Sequence, residues 1–144
     1  MKTAFFIIFT LFLMACQVGN ESIIEPSLTK ISGQWQLTKT SIGYPAPNSP
    51  TEIKATNTEI ISFDSNNKTF TRTVNGKVTE TTDFDVQKVS YNGSEPREAV
   101  VFTKTQYYAF LTFDDANSSI ILYEKAPIGA ILADGNSYHY QKVK

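Results

Sequence analysis

The sequence predicts an all-β protein, built as an antiparallel up-and-down barrel of eight strands. Three observations predict it. From Ile31 onward apolar residues recur at every second position, polar turn signals separate the runs, and the runs are rich in Thr, Val, Ile and aromatic residues. No segment has the 3.6-residue period of an amphipathic helix. Antiparallel strands joined by tight turns leave edges, which closure into a barrel hides most completely.

Each strand is assigned from this alternation and from the turns that bound it. In the first run Gly33, Trp35 and Leu37 share one side, and polar residues share the other. The pair Asn75-Gly76 predicts a two-residue hairpin, because a type I′ turn needs a positive φ at both positions. The eight predicted strands are 31–38, 58–63, 69–74, 77–86, 98–103, 106–113, 119–123 and 138–143, with a further turn expected at 92–94.

Two stretches do not fit as strands. Residues 43–51 contain three prolines, which exclude a central strand. We expect this loop to form a semi-rigid rim at the open end, with Tyr44 as the contact for a ligand. Alternation of the connections places it at the same end as the Asn75-Gly76 turn, with Trp35 nearer the other end. Residues 125–136 carry an apolar patch at 128–132 that could form a short strand, a helical turn or a loop folded over an open end.

The composition argues against several classes of function. The chain has 144 residues, one Cys, one His and a formal net charge of −1, and its length fits one domain. Balanced charge without a basic cluster argues against nucleic acid as a partner. One Cys and one His exclude a disulfide framework, a Cys-based cluster and a His-rich metal site, and we expect no metal and no cofactor. The sequence has no Gly-x-Ser-x-Gly motif and no phosphate loop, so we expect no catalytic residues and no enzyme.

The first residues are typical of a targeting signal rather than of a folded element. Lys2 precedes an apolar run at 4–13, which is too short to span a bilayer. The next residues, Leu13-Met14-Ala15-Cys16, resemble the lipobox of bacterial lipoproteins. The resemblance implies cleavage after Ala15 and lipidation of Cys16. The alternative is an ordinary secreted protein in which Cys16 is incidental.

This resemblance divides the chain into three parts: a signal peptide at 1–15, a lipidated N-terminus and polar tether at 16–30, and a folded domain at 31–144. It implies a bacterial envelope protein held to a membrane through the lipid on Cys16. No run of acidic residues follows Cys16, which favours a periplasm-facing position over the cell surface.

Features along the domain carry a second resemblance. They are Gly33-x-Trp35 on the first strand, the up-and-down run of eight strands, and Asp134-Gly135 followed by Tyr138-x-Tyr140-x-Lys142. Together they resemble the lipocalin-like domains of small bacterial lipoproteins over about residues 28–143. The resemblance implies an eight-stranded barrel with Trp35 plugging its narrow end. The sequence lacks the C-terminal helix of larger lipocalins, and so short a barrel argues against a large ligand cavity.

Inward-facing aromatic residues and one arginine are the candidates for a ligand cavity. An eight-stranded barrel can hold one small ligand or be filled by its own side chains, so the same residues could equally form a solid core. The candidate cavity residues are Trp35, Phe63, Phe70, Arg72, Phe84, Phe102, Tyr108, Phe110, Tyr138 and Tyr140.

Three polar positions have competing interpretations. Counting from the Asn75-Gly76 turn sets Arg72 opposite Thr79. An inward Arg72 could orient an anionic head group, or it could lie at the rim in water. His139 alternates with two tyrosines, and we expect it to be exposed. The turn at 114–117 has oxygens compatible with calcium, but the same residues are typical of a hairpin turn, which we favour.

Two functions from different classes remain. The first is a membrane-anchored binding module that takes a small apolar or amphipathic ligand. The second is an interaction protein with a solid barrel that engages an envelope protein as an inhibitor or accessory subunit. An internal void lined by the candidate aromatic residues would favour the first.

Overall fold

The structure is a computed structural model that describes residues 26–90, 94–130 and 132–144. The predicted signal peptide, Cys16, tether residues 16–25 and part of the predicted turn at 92–94 lie outside the described residues. In chain order the described elements are α1 (Pro26–Ile31), β1 (Gly33–Ser41), β2 (Glu52–Lys54), β3 (Glu59–Asp64), β4 (Thr69–Val74), β5 (Lys77–Asp83), β6 (Asp85–Val89), β7 (Arg97–Phe102), β8 (Tyr107–Phe113), β9 (Ser119–Tyr123), β10 (Ala126–Pro127) and β11 (Ser137–Lys142).

The strands pair antiparallel in one curled, half-barrel sheet. Its hydrogen-bonded order is β5-β4-β3-β1-β11-β9-β8-β7-β6, with β2 added to β1 and β10 added to β8. The predicted all-β antiparallel class is confirmed. The first long strand, β1, lies between β3 and the last strand, β11.

The two ends of this order, β5 and β6, are consecutive in the chain. Only Phe84 separates them, and its side chain is buried. β5 pairs with β4, whereas β6 pairs with β7. One continuous stretch of chain therefore changes its hydrogen-bonding partner at Phe84.

One end of the sheet is filled by Trp35. Its side chain is fully buried, and its indole Nε1–H donates a hydrogen bond to the Ile31 carbonyl oxygen at 2.7 Å. Phe63 and Phe84 belong to the same core cluster, with ring centroids 5.0 Å apart. Trp35 is therefore a core residue, and its one polar atom has a partner as buried polar atoms require.

The helix α1 corrects the predicted start of the folded domain. Residues 16–30 are predicted above as tether and no helix is expected, but Leu28 and Ile31 of α1 are buried in the core with Trp35. The Ser27 hydroxyl also donates a hydrogen bond to the Glu98 carboxylate of β7. Six residues are too few to show a helical period, which is why the sequence pattern missed α1. In the described residues no helix is long and apolar enough to cross a bilayer.

The opposite end of the sheet carries the β4–β5 turn and the proline-rich loop. Asn75 and Gly76 have φ angles of 50° and 77°, as a type I′ turn requires. The Asn75 N–H donates to the Thr58 carbonyl oxygen at 2.7 Å, and β3 runs from there toward the Trp35 end. Residues 43–51 follow Ser41 at the far end of β1, so they share an end with the turn, as the alternation of connections predicts. Tyr44 in this loop is 80% exposed.

Residues 125–130 and 132–136 lie partly on the outer face of the sheet and partly against the proline-rich loop. Ala126 of β10 pairs with Tyr108 of β8, and the Tyr108 hydroxyl donates to the Ala130 carbonyl oxygen at 2.9 Å. Ala99, Val101, Tyr108 and Ala126 form a second apolar cluster under this segment. Of the three predicted alternatives, a short strand is present in β10. The end of the segment contacts the proline-rich loop, where the Gly43 N–H donates to Asn136 Oδ1 at 3.3 Å.

Candidate functional site

A cavity of about 250 Å³ lies inside the curled sheet. Residues from β3, β4, β5, β7, β8, β9 and β11 surround it, so it is enclosed by distant parts of the chain. The apolar part of its wall is Ile61, Phe70, Phe102, Ala109 and Leu122, and the polar part is Arg72, Glu80, Tyr123, Lys125, Tyr138 and Tyr140.

The aromatic wall of the cavity is formed by two phenylalanines from separate strands. Phe70 of β4 and Phe102 of β7 are both buried, and their rings meet edge to face with centroids 5.1 Å apart. Such pairs prefer this geometry and hold each other in place. They give the cavity a preformed apolar wall.

A buried carboxylate lies behind the cavity wall. Glu59 begins β3, and only 7% of its side chain is exposed. Its Oε1 accepts a hydrogen bond from the Tyr140 hydroxyl at 2.7 Å, and its Oε2 accepts one from Arg72 Nη2 at 2.6 Å. Both oxygens are therefore paired, as a buried charge needs.

The same contacts shift the pKa values of both donors. The hydrogen bond to Glu59 raises the pKa of Arg72 and fixes its positive charge. Burial, and secondarily the Glu59 charge, raises the pKa of Tyr140 far above its usual value, so this hydroxyl keeps its proton. Glu59 therefore orients Arg72 and Tyr140 toward the cavity.

A β-bulge changes the predicted pairing around Arg72. Val74 pairs with Lys77 and Thr73 with Val78, as predicted, but Arg72 then pairs with Glu80 instead of facing Thr79. The Thr79 hydroxyl instead donates to the Arg72 carbonyl oxygen at 3.2 Å. An extra residue on one strand reverses the side-chain alternation beyond it.

The bulge has two consequences for the site. It places Glu80 in the cavity wall beside Arg72, whereas Val78, on the other side of the bulge, is exposed. The charged pair at the cavity therefore depends on a break in strand register.

Lys125 spans the cavity from the opposite wall. It follows β9, yet its Nζ lies 2.6 Å from Oε1 of Glu80 on β5, and β5 and β9 are not neighbours in the sheet. The ammonium also lies 4.0 Å from the ring centroid of Phe102 and 5.0 Å from that of Phe70. Such cation–π contacts hold a lysine in one position. Lys125 therefore forms a roof over the aromatic wall.

One donor in the wall has no partner. The Nε–H of Arg72 is buried, and among the described residues no acceptor lies within hydrogen-bonding distance of it. A buried donor left unpaired costs about 1–3 kcal/mol. This nitrogen belongs to a wall residue but has no accessible surface of its own, so it is not a contact for a molecule in the cavity.

Five of the ten candidate cavity residues line the cavity, and five do not. Trp35, Phe63 and Phe84 are buried in the core and do not line the cavity. Tyr108 and Phe110 are on the outer face, packed with the second apolar cluster, so their assignment to the cavity is wrong. The five that line it are Phe70, Arg72, Phe102, Tyr138 and Tyr140.

The outer face has a hollow of its own, of about 230 Å³. There the Arg97 guanidinium lies 4.4 Å from the ring centroid of Phe110 and 5.0 Å from that of Tyr123. Leu132 borders the hollow and is 46% exposed. This arrangement offers an aromatic and cationic surface to the outside.

His139 has a specific partner on the outer surface. Its Nε2 lies 2.8 Å from the Ser41 hydroxyl, and burial, followed by the charge of Lys39, lowers its pKa. Glu52 also contacts the Ser41 hydroxyl, at 3.4 Å. In a catalytic triad the carboxylate orients the histidine, whereas this one competes for the serine, so the group is not arranged as a triad.

The acidic turn at 114–117 uses its carboxylate internally. Asp114 accepts hydrogen bonds from the backbone N–H groups of Ser118 and Ser119 and from the Ser118 hydroxyl. These bonds lower the pKa of Asp114. The geometry is that of a turn, and in the described part of the chain no cluster of three or more His, Cys, Asp or Glu residues could hold a metal ion.

Sequence reasoning missed Glu59 and Lys125 as members of the site. Glu59 has the phase of Ile61 and Phe63, which are both buried, so an inward carboxylate could have been inferred from alternation alone. Lys125 lies in an irregular connection, where no periodicity exists to show its direction.

Comparison with protein-family models and with curated proteins finds no match to this chain.

Proposed function

We propose that this chain is a membrane-anchored binding module of the bacterial cell envelope that takes one small apolar or amphipathic molecule. The observation that carries the proposal is the cavity of about 250 Å³ between Phe70, Phe102 and Leu122, roofed by Lys125. An engineered apolar cavity of about 150 Å³ holds benzene in another protein. The space is therefore large enough for one ring-sized molecule with a polar arm.

A lipocalin-like, eight-stranded barrel is the architecture proposed for this module. Its support is that β5 and β6 are two halves of one stretch of chain bent at Phe84. Counting them as one strand, and leaving aside the short β2 and β10, gives eight consecutive strands. In that reading, Trp35 closes one end and the ligand enters from the other.

The membrane anchor is proposed on the lipobox-like residues 13–16. Because α1 packs at the Trp35 end, a lipid on Cys16 would hold the domain by its closed end. The Asn75-Gly76 end and the exposed Tyr44 would then be free to meet a ligand. The proposed position is periplasm-facing.

Native mass spectrometry of the protein purified from its own host tests the binding function. The matched variant is Ala109→Leu, because Ala109 is buried in the cavity wall and a larger side chain there occupies the space. We expect wild type to retain a small molecule that the variant lacks, with both proteins folded by circular dichroism. Equal masses of bound material in the two proteins, or none in wild type, would contradict the proposal.

The second candidate function, an interaction module, is favoured by the outer hollow. Arginine and tyrosine are enriched among the residues that dominate the binding energy of protein interfaces. Arg97 stacks on Tyr123 in the outer hollow, and the exposed Leu132 borders the same hollow. Cross-linking in the native membrane compares Arg97→Ala with wild type. Loss of a stoichiometric partner in that variant, together with an empty cavity in wild type, would favour this function over binding.

A further inference from the structure

Three charged side chains line the cavity. Arg72 and Lys125 are cations and Glu80 is an anion, and Arg72 is already paired with the Glu59 carboxylate behind the wall, at 2.6 Å. Among the described residues Lys125 forms its ion pair with Glu80. Lys125 is therefore the cation that a ligand reaches by replacing one carboxylate, and such a ligand brings an anionic oxygen.

Glu80 is the group such a ligand must replace. Its contact to Lys125 at 2.6 Å crosses the cavity, and its side chain is 29% exposed, so it can turn toward water. Lys125 keeps its position without Glu80, because the ring of Phe102 lies 4.0 Å below its ammonium. A carboxylate in the place of Glu80 would therefore meet a donor that is already held in position.

The apolar wall determines the rest of the molecule. Phe70 and Phe102 present ring faces and edges, and Leu122 and Ile61 complete a wall that suits one aromatic ring. The volume leaves room for that ring and a short arm, but not for a long acyl chain.

We infer that the cavity binds a small aryl monocarboxylate, whose carboxylate displaces Glu80 and accepts a hydrogen bond from the Lys125 ammonium, with its ring against Phe70 and Phe102. This inference rests on the proposed binding function and specifies its ligand class. It also assigns roles: Lys125 binds the anion, and Glu80 occupies its place in the empty protein.

Three probes of one shape test the charge of the ligand. They are phenylacetate, phenylacetamide and 2-phenylethylammonium, which carry an anionic, a neutral and a cationic arm on the same ring. Isothermal titration uses the full chain in phosphatidylcholine nanodiscs, with empty nanodiscs as the blank. We expect phenylacetate to bind about tenfold more tightly than phenylacetamide, the scale of one charge-assisted hydrogen bond, and 2-phenylethylammonium to bind most weakly.

Two variants test the assigned roles. Glu80→Gln should raise the affinity for phenylacetate about tenfold, because Lys125 no longer has a competing anion. Lys125→Met should lower it by about the same factor, and neither variant should change phenylacetamide binding by more than about twofold. The matched controls are Glu52→Gln and Lys39→Met, which remove the partners of another 2.6 Å ion pair that is outside the cavity wall. We expect both controls to bind all probes like wild type.

The outcomes separate this inference from the proposed function. Equal binding of phenylacetate and phenylacetamide, or an unchanged phenylacetate affinity in Glu80→Gln, overturns the carboxylate assignment and leaves a binding module in place. Failure of phenylacetate to bind, when native mass spectrometry finds a retained molecule, also overturns only the assignment. If no probe binds and no molecule is retained, the binding function itself fails.

Discussion

Replacing Glu59 with Gln tests the buried network behind the cavity. The substitution keeps the shape of the side chain and removes its negative charge. In wild type the carboxylate oxygens accept hydrogen bonds from the Tyr140 hydroxyl at 2.7 Å and from Arg72 Nη2 at 2.6 Å. Breaking a fully buried ion pair costs about 3–5 kcal/mol. The Arg72 side chain is 42% exposed, so water replaces part of what is lost. We therefore expect Glu59→Gln to lower the free energy of unfolding by about 2–3 kcal/mol, the range for hydrogen bonds to charged groups.

Urea unfolding at neutral pH measures this loss, with Trp35, the chain's single tryptophan, as the fluorescent reporter. The matched control is Glu52→Gln, because Glu52 pairs with Lys39 at the same 2.6 Å but is 53% exposed. Exposed pairs contribute little, and we expect the urea midpoint of the control to match that of wild type. If Glu59→Gln loses no more than Glu52→Gln, the network does not stabilise the fold and does not orient Arg72.

The remaining predictions concern the anchor, the closed end and alkaline pH. Cys16→Ala should be neither labelled by a fatty-acid analogue nor recovered with membranes, and equal recovery of wild type and variant would overturn the lipobox reading. Trp35→Ala should lose about 3–5 kcal/mol of unfolding free energy in a urea titration followed by circular dichroism, as other large core truncations do, whereas an unchanged midpoint would place Trp35 outside the core. Burial raises the pKa of Tyr140 in the folded protein. The stability that its protonated hydroxyl contributes is therefore complete below the unfolded pKa of about 10. This stability is lost as the pH rises above that value, by up to about 1.4 kcal/mol per pH unit. Tyr140→Phe should show a shallower alkaline decline of stability than wild type, and parallel declines would refute the assignment.

Local patterns were sufficient to predict the main turn and most of the strands, but not the short β2 and β10 or the break at Phe84 that divides the predicted strand 77–86. Alternation over residues 58–74 predicted β3 and β4 to within a residue, since each has one buried face. The Asn75-Gly76 dipeptide predicted its turn because few other residues tolerate a positive φ at both positions. These features depend only on neighbouring residues.

The errors arise where a strand has no single buried face or where its register breaks. In β8 the side chains of Ala109 and Leu111 belong to the main core, whereas those of Tyr108 and Phe110 pack in the second apolar cluster on the opposite face. Both faces are then apolar, and alternation cannot show which residues point inward. This is why Tyr108 and Phe110 were wrongly assigned to the cavity.

The charged groups of the cavity were the hardest part of the site to predict from the sequence alone. A bulge moves Glu80 opposite Arg72, and no local signal distinguishes that register from the regular one. Lys125 and Glu80 are 45 residues apart in the chain, and they meet only because the sheet curls. Pairs so distant in the chain carry no periodic signal.

Methyl NMR of the isotope-labelled full chain, titrated with 2-phenylethanol or phenylacetate, tests the internal binding site most directly. We expect the methyl signals of Ile61, Ala109 and Leu122 to shift, because these groups line the cavity. Signals from Ile128 and Leu132, which are exposed on the outer segment, should stay in place. Shifts confined to Ile128 and Leu132, or no shift at the cavity methyls, would contradict an internal binding site.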